Sequence, residues 1–273
     1  MRFALRARLA MLAASTVFAA AACSAQIDQF NDLTVRIEKE LKPLKPHLVA
    51  VLDFRPPYGS EMPQGHYFAW LLSVTLQDRG KRKFVVADHP GFDADLSRLH
   101  IAADALVSAD SLRAVASQIG ADILITGSIE KRGNSYFLQI TPVRVPDSQS
   151  GAPISMTIES NDFFESMLTP FPSDIPKLSG RGKNGVGMPS CIYCPNPSFT
   201  DPARQAKING TAIFDVLISP DGQASQIRPV KMLGYGLDEQ AYDVLRKWKF
   251  KPATKDGLPV AVIVPVEVSF RLY

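Results

Sequence analysis

The sequence predicts an α+β protein in two parts: an N-terminal α/β domain with a mixed sheet, and a small C-terminal unit ordered β-β-α-β. Three observations carry this. Apolar runs alternate with helix-like stretches between residues 48 and 145. Ten of the 32 positions over 169–200 are Pro or Gly, a density that interrupts regular structure. Strand-like alternation then returns over 209–219 and 258–273, on either side of one amphipathic segment. The 273 residues accordingly divide into a leader at 1–22, a domain at 27–168, a linker at 169–200 and a second unit at 201–273.

The leader opens with the positive stretch MRFALRAR, followed by an apolar core of 14 residues over 9–22. That core is shorter than the roughly 20 residues a spanning helix needs and suits an export signal. Ala20-Ala21-Ala22-Cys23 is similar to a bacterial lipobox, which implies a lipidated N-terminus at Cys23. Cleavage without lipidation, for instance after Ala25, is the alternative, and both stay open. Arg2, Arg6 and Arg8 account for the whole formal charge of +3; without 1–22, 27 basic residues face 27 acidic ones. No basic excess is left to neutralise phosphates, so nucleic acid is not an expected partner.

In the first domain, Ile27, Phe30, Leu33, Ile37 and Leu41 recur at helical spacing, and Pro43 and Pro46 stop that helix. Residues 48–54 read as a strand buried on both faces. A well-buried helix over 66–79 closes at Gly80, and 83–87 is a second strand. Leu112, Val115, Ala116 and Ile119 share one face of a helix over 110–119. The strand starting at Ile123 meets the strand 135–145 through a Gly133-Asn134 turn. Residues 154–160 add a strand and 162–168 a short helix. The segments VAVLDF, KFVVAD and SLRAVASQIGADILITGSIEKRGNSYFLQI together resemble the FlgO, CsgG and TolB-N-like domains of bacterial envelope proteins, over roughly 48–168. CsgG-like members form pores; the long alternating hairpins of a membrane barrel are missing here, so a pore is not expected.

In the second unit, Ala212, Phe214, Val216 and Ile218 alternate with outward residues, and Pro220-Asp221-Gly222 turns the chain. A return strand covers 224–233. Leu237, Ala241, Val244, Leu245 and Trp248 form the stripe of a helix over 237–250, with Asp238 and Glu239 at its start and Arg246, Lys247 and Lys249 at its end, as the helix dipole favours. The last strand, 258–273, carries Pro265, which cannot donate to a ladder, so an edge position is expected. GT-x-x-x-x-V-x-I-x-x-x-G at 210–222, LD-x-x-A at 237–241, W-x-F-x-PA at 248–253 and V-x-F at 268–270 follow one another at the spacing of the TonB C-terminal domain, which this unit resembles from about 200 to 273. Phe199-Thr200 stands where that family often has Tyr-Pro.

The resemblance implies a non-enzymatic protein exported to the periplasm, anchored at the outer membrane if Cys23 is lipidated. It would bind an envelope partner, such as the TonB box of a TonB-dependent receptor, by strand addition, and so support transport across the outer membrane. The 258–273 strand is the natural edge, with Ile263, Glu267 and Arg271 outward and Val262, Val264, Val266 and Val268 in the core. A membrane anchor helix and a stiff Pro-rich spacer are not found, so energy transduction is not expected. The alternative is a FlgO-like assembly or structural lipoprotein acting through the N-terminal domain.

Other motifs carry less. For Cys191 and Cys194, export favours a disulfide; a redox pair lacks the thioredoxin context, and zinc lacks two further ligands. Gly180–Gly185 fits G-x-G-x-x-G but follows no strand and opens no helix. His47, His66, His89 and His100 show no ligand or triad spacing, and Asp53 and Asp122 read as capping or turn residues. No cofactor, metal or catalytic residue is expected.

Overall fold

The computed structural model describes residues 29–57, 62–80, 83–87, 109–145, 147, 149–179 and 185–272. The leader with Cys23, His89, His100 and most of the Gly-rich motif at 180–185 lie outside the described residues. The fold is α+β as expected, and the chain forms two compact units, Asp28–Ser160 and one containing Asn161–Tyr273.

In the N-terminal unit, α1 covers 29–41 and buries Phe30, Leu33, Ile37 and Leu41. Strand β1 (Leu48–Val51) is parallel to β2 (Val85–Val86) on one side and to β3 (Ile123–Arg132) on the other. A hairpin joins β3 to β4 (Ser135–Arg144); Gly133 at its turn has φ +60°. Strands β5 (Gln149–Ser150) and β6 (Ile154–Glu159) both pair with β4. Both faces of β1 are buried, as its unbroken apolar run predicts. Ala50 and Leu52 join Val115 and Ala116 of α3 (Ala109–Ile119) in one cluster. Among the rings of the unit, Phe68 of α2 (Pro63–Gly80) stacks on Phe30 at 5.6 Å and meets Tyr136 edge-on at 5.9 Å. Asp122 accepts from the N–H of His47 (2.6 Å) and of Leu48 (3.0 Å), so it fixes the start of β1.

The C-terminal unit holds a three-stranded antiparallel sheet in the order β13 (Val262–Phe270), β8 (Gly210–Ile218), β9 (Ala224–Lys231). Its core takes Ala212, Phe214, Val216, Val264, Val268 and Phe270 from the sheet and Leu237, Ala241 and Leu245 from α6 (Leu237–Leu245). Two short helices complete it. In α4 (Asp162–Ser166), Phe163 meets Tyr242 at 5.7 Å and Asp162 pairs with Arg246. Helix α5 (Asp201–Gln205) is capped by Thr200, whose hydroxyl accepts from the N–H of Ala203 and donates to the Tyr235 carbonyl. Phe199 packs edge-on against Phe270 at 5.4 Å. The departure at Phe199-Thr200 therefore supplies a half-buried ring against Phe270 and a helix cap.

Three expectations are corrected. The helix expected through Phe250 ends at Leu245, because Phe250 N–H donates to the Gly222 carbonyl (2.9 Å) and Lys249–Lys251 becomes β10. The last strand is broken at Ala261: β11 (Ala253–Lys255) and β12 (Leu258–Val260) form a small hairpin before β13. The segment expected to be an unstructured linker carries strand β7 (Ser190–Tyr193), antiparallel to β10, and Gly187 N–H donates to the Thr254 carbonyl (2.8 Å). Cys191 and Cys194 are disulfide-bonded within it. Prolines suppress helix and local hairpins but leave neighbouring residues free to pair with distant strands.

Candidate peptide-binding edge

Strand β13 pairs with β8 without interruption, from Val262↔Ile218 to Phe270↔Gly210. The pairing of β9 with β8 shifts register twice, and β9 carries Pro229. Bulges and prolines blunt an edge. Side chains from β9 also engage the chain: Gln226 donates to the Thr169 carbonyl (2.7 Å) and Arg228 lies over the Phe171 ring (5.6 Å). Of the two edges, β13 is the regular one.

The outer side of β13 follows from its alternation. Ile263 points both main-chain groups away from β8: its N–H donates to the Pro176 carbonyl (3.0 Å), and its carbonyl accepts from Leu178 N–H (2.8 Å). Every second residue shares that orientation. Pro265, Glu267 and Ser269 thus turn their main-chain groups outward. This explains Pro265: its missing N–H falls on the outer side and costs the β8 ladder nothing.

The three edge residues named from sequence fare differently. Ile263 is 4% exposed and main-chain-bonded to its own chain, so it offers no free surface, contrary to expectation. Alternation along a strand carries no information on which backbone lies beside it. Glu267 is exposed within β13, and Arg271 is exposed just beyond it. Lys177 pairs with Asp215, the residue opposite Pro265. Ser269 and Thr211 share a hydrogen bond (3.1 Å) across the two strands.

One structural residue was assigned too small a role. Asp238 is fully buried, and its carboxyl accepts from Leu233 N–H (2.9 Å) and Gly234 N–H (2.8 Å). Gly234, Tyr235 and Gly236 all have positive φ (75°, 56° and 76°). The turn they build brings the N–H groups of Leu233 and Gly234 onto one carboxyl. Burial, with the charge of Glu239, pushes Asp238 up to about 8, against the pull of its two N–H donors. The G-Y-G-L-D spelling was the available signal; reading Asp238 only as a dipole partner missed it.

Asp53 and His66 lie within 3.1 Å of each other in the N-terminal unit. Among the described residues no group of three His, Cys, Asp or Glu is placed to hold a metal, and no helix is long and apolar enough to cross a membrane.

Comparison with known proteins agrees with the C-terminal motifs. Residues 195–272 match the family described as Gram-negative bacterial TonB protein C-terminal. Protein TonB of Vibrio cholerae is 32% identical over 79 residues, 28% of this chain and 32% of that protein. The match thus spans about a third of that relative's length. Among solved structures, the LpoB C-terminal domain from Salmonella enterica aligns with a TM-score of 0.39 and 14% identity, over 48% of this chain and 96% of that one. The Pseudomonas aeruginosa TonB C-terminal domain aligns with a TM-score of 0.28 and 19% identity, over 37% and 96%. Residues 195–272 form a domain of the TonB C-terminal family; the rest of the chain lies outside that match.

Proposed function

We propose that this is an exported envelope protein whose C-terminal unit captures an extended segment of an envelope partner by strand addition to β13. The observation that carries the reading is the outward main chain of β13 beyond Ile263, on an uninterrupted strand with β8 behind it. A strand laid there gains main-chain hydrogen bonds, while flanking side chains such as Glu267 and Arg271 select the sequence. The family of this domain supports an N-terminal segment of an outer-membrane receptor as the class of partner. Anchoring through a lipidated Cys23 belongs to the same proposal, and the mass of the mature N-terminus decides it.

The test is a pull-down with synthetic N-terminal peptides of outer-membrane receptors, against scrambled controls. Wild type retains the peptide. Glu267→Pro, which deletes an outward N–H without touching the β8 ladder, loses at least about tenfold in affinity. Retention no better than the scrambled peptide rejects strand addition as the function.

A further inference from the structure

The outer side of β13 is divided. At its upstream end, residues Pro176–Leu178 run parallel to the strand and take both main-chain groups of Ile263. This contact is anchored: Leu178 is 1% exposed, and Lys177 between the two bonding residues is paired with Asp215. The next outward position is Pro265, which has a carbonyl to offer and no N–H. Past it, Glu267 and Ser269 turn an N–H and a carbonyl each to the outer side, and among the described residues no strand pairs there.

We infer that Pro176–Leu178 is a built-in stop that confines an incoming strand to the Pro265–Ser269 stretch of β13. The inference rests on the strand-addition reading above and sets the length and register of what can bind. A segment reaching past Pro265 meets the chain's own strand and gains nothing there. Charge narrows the occupant further. The carboxylate of Asp215 is engaged by Lys177, whereas no ion pair among the described residues includes Glu267. The fitting partner is a short extended peptide that brings a lysine or arginine beside Glu267.

The experiment uses the full chain and two synthetic strands of alternating threonine and valine with one lysine, about five and about nine residues long. Two variants release the stop by different routes. Leu178→Pro deletes the N–H that bonds to Ile263, and Leu178→Gly keeps that N–H but removes the buried side chain. Amide exchange at Ile263 reports the release. In wild type the Ile263 amide is protected and the two peptides bind within twofold of each other. In the variants that amide exchanges freely and the longer peptide binds about tenfold more tightly, having gained the Ile263 main chain.

Tighter binding of the longer peptide to wild type overturns the inference. So does an equal affinity for both peptides in a variant whose Ile263 amide is free, or an Ile263 amide still protected in both variants. Failure of either peptide to bind any form is a different result: it removes strand addition itself, and the stop with it.

Discussion

Replacing Asp238 by alanine tests the turn that starts α6. The substitution takes the acceptor from two main-chain N–H groups. Gly234 N–H is buried and carries the full cost of an unmet donor, about 1–3 kcal/mol; Leu233 N–H is only part-buried and costs less. The gross loss is about 3 kcal/mol. Burial of the carboxyl opposes it, and does so more strongly as pH rises. The carboxyl has a pKa near 8 in the fold against 3.8 when free, so the native state binds more protons than the unfolded chain across that window. Wild-type stability from this group is therefore highest below the free value and falls as pH rises toward 8, at no more than about 1.4 kcal/mol per unit. At about pH 5, only a little above the free value, the handicap is still smaller than the gross loss, so Asp238→Ala destabilises the fold by roughly 1–2 kcal/mol. The loss shrinks as pH rises and changes sign before pH 8. Urea unfolding followed by Trp248 fluorescence in a Trp70→Phe background measures it. An unchanged midpoint at pH 5, or a loss that grows with pH, refutes the assignment of Asp238 as the buried anchor of this turn.

Two further outcomes are expected. Gly222→Ala places a methyl 2.0 Å from the Phe250 carbonyl at φ +80°, so the C-terminal unit loses about 3 kcal/mol and its Tm falls; an unaltered Tm contradicts the close approach of the Pro220–Gly222 turn to β10. The double change Cys191→Ser, Cys194→Ser opens a loop of sequence separation 3, which on the chain-entropy estimate costs about 2 kcal/mol. Denaturant titration reads that loss, and the variant's retention of receptor peptides stays at the wild-type level, since the disulfide joins β7 to the residue just past it and does not touch β13.

The elements that alternation or helical spacing specifies were legible in the sequence. Strands β8 and β13, the stripe of α6 and the β3–β4 hairpin follow from local periodicity, and Pro265 marked β13 as an edge before any pairing was known. What sequence did not supply is lateral. Periodicity says which side chains share a face, not which backbone lies beside a strand. Hence alternation alone leaves Ile263 open, whereas Pro176–Leu178, more than eighty residues upstream, takes both of its main-chain groups. The same blindness made 169–200 a plain linker. Its prolines and glycines exclude helices, yet Gly187, Cys191 and Tyr193 find partners on 249–254, a pairing with no local signature. Helix α6 ended early for a related reason: Phe250 is drawn off by Gly222, whose own position depends on the turn after β8.

A strand left open for a partner is also a strand open to other copies of the same chain, so its protection has to coexist with its use. In β13 the two are separated along the strand. Upstream, where the residues are most apolar, the chain covers the edge with its own Pro176–Leu178 segment and buries Ile263. At the boundary, Pro265 removes a donor that a second edge strand would need. Downstream, the exposed residues are Glu267 and Ser269, and Arg271 follows. Two identical edges brought together antiparallel set a proline and a carboxylate on each side, whereas a short foreign segment with a cation beside Glu267 brings neither a second proline nor a second carboxylate. Discrimination against self and acceptance of a peptide thus come from the same few residues. That is why Glu267→Val is expected to weaken peptide selection and to promote self-association together: light scattering that stays at the wild-type mass while peptide binding falls would separate the two roles and defeat the coupling.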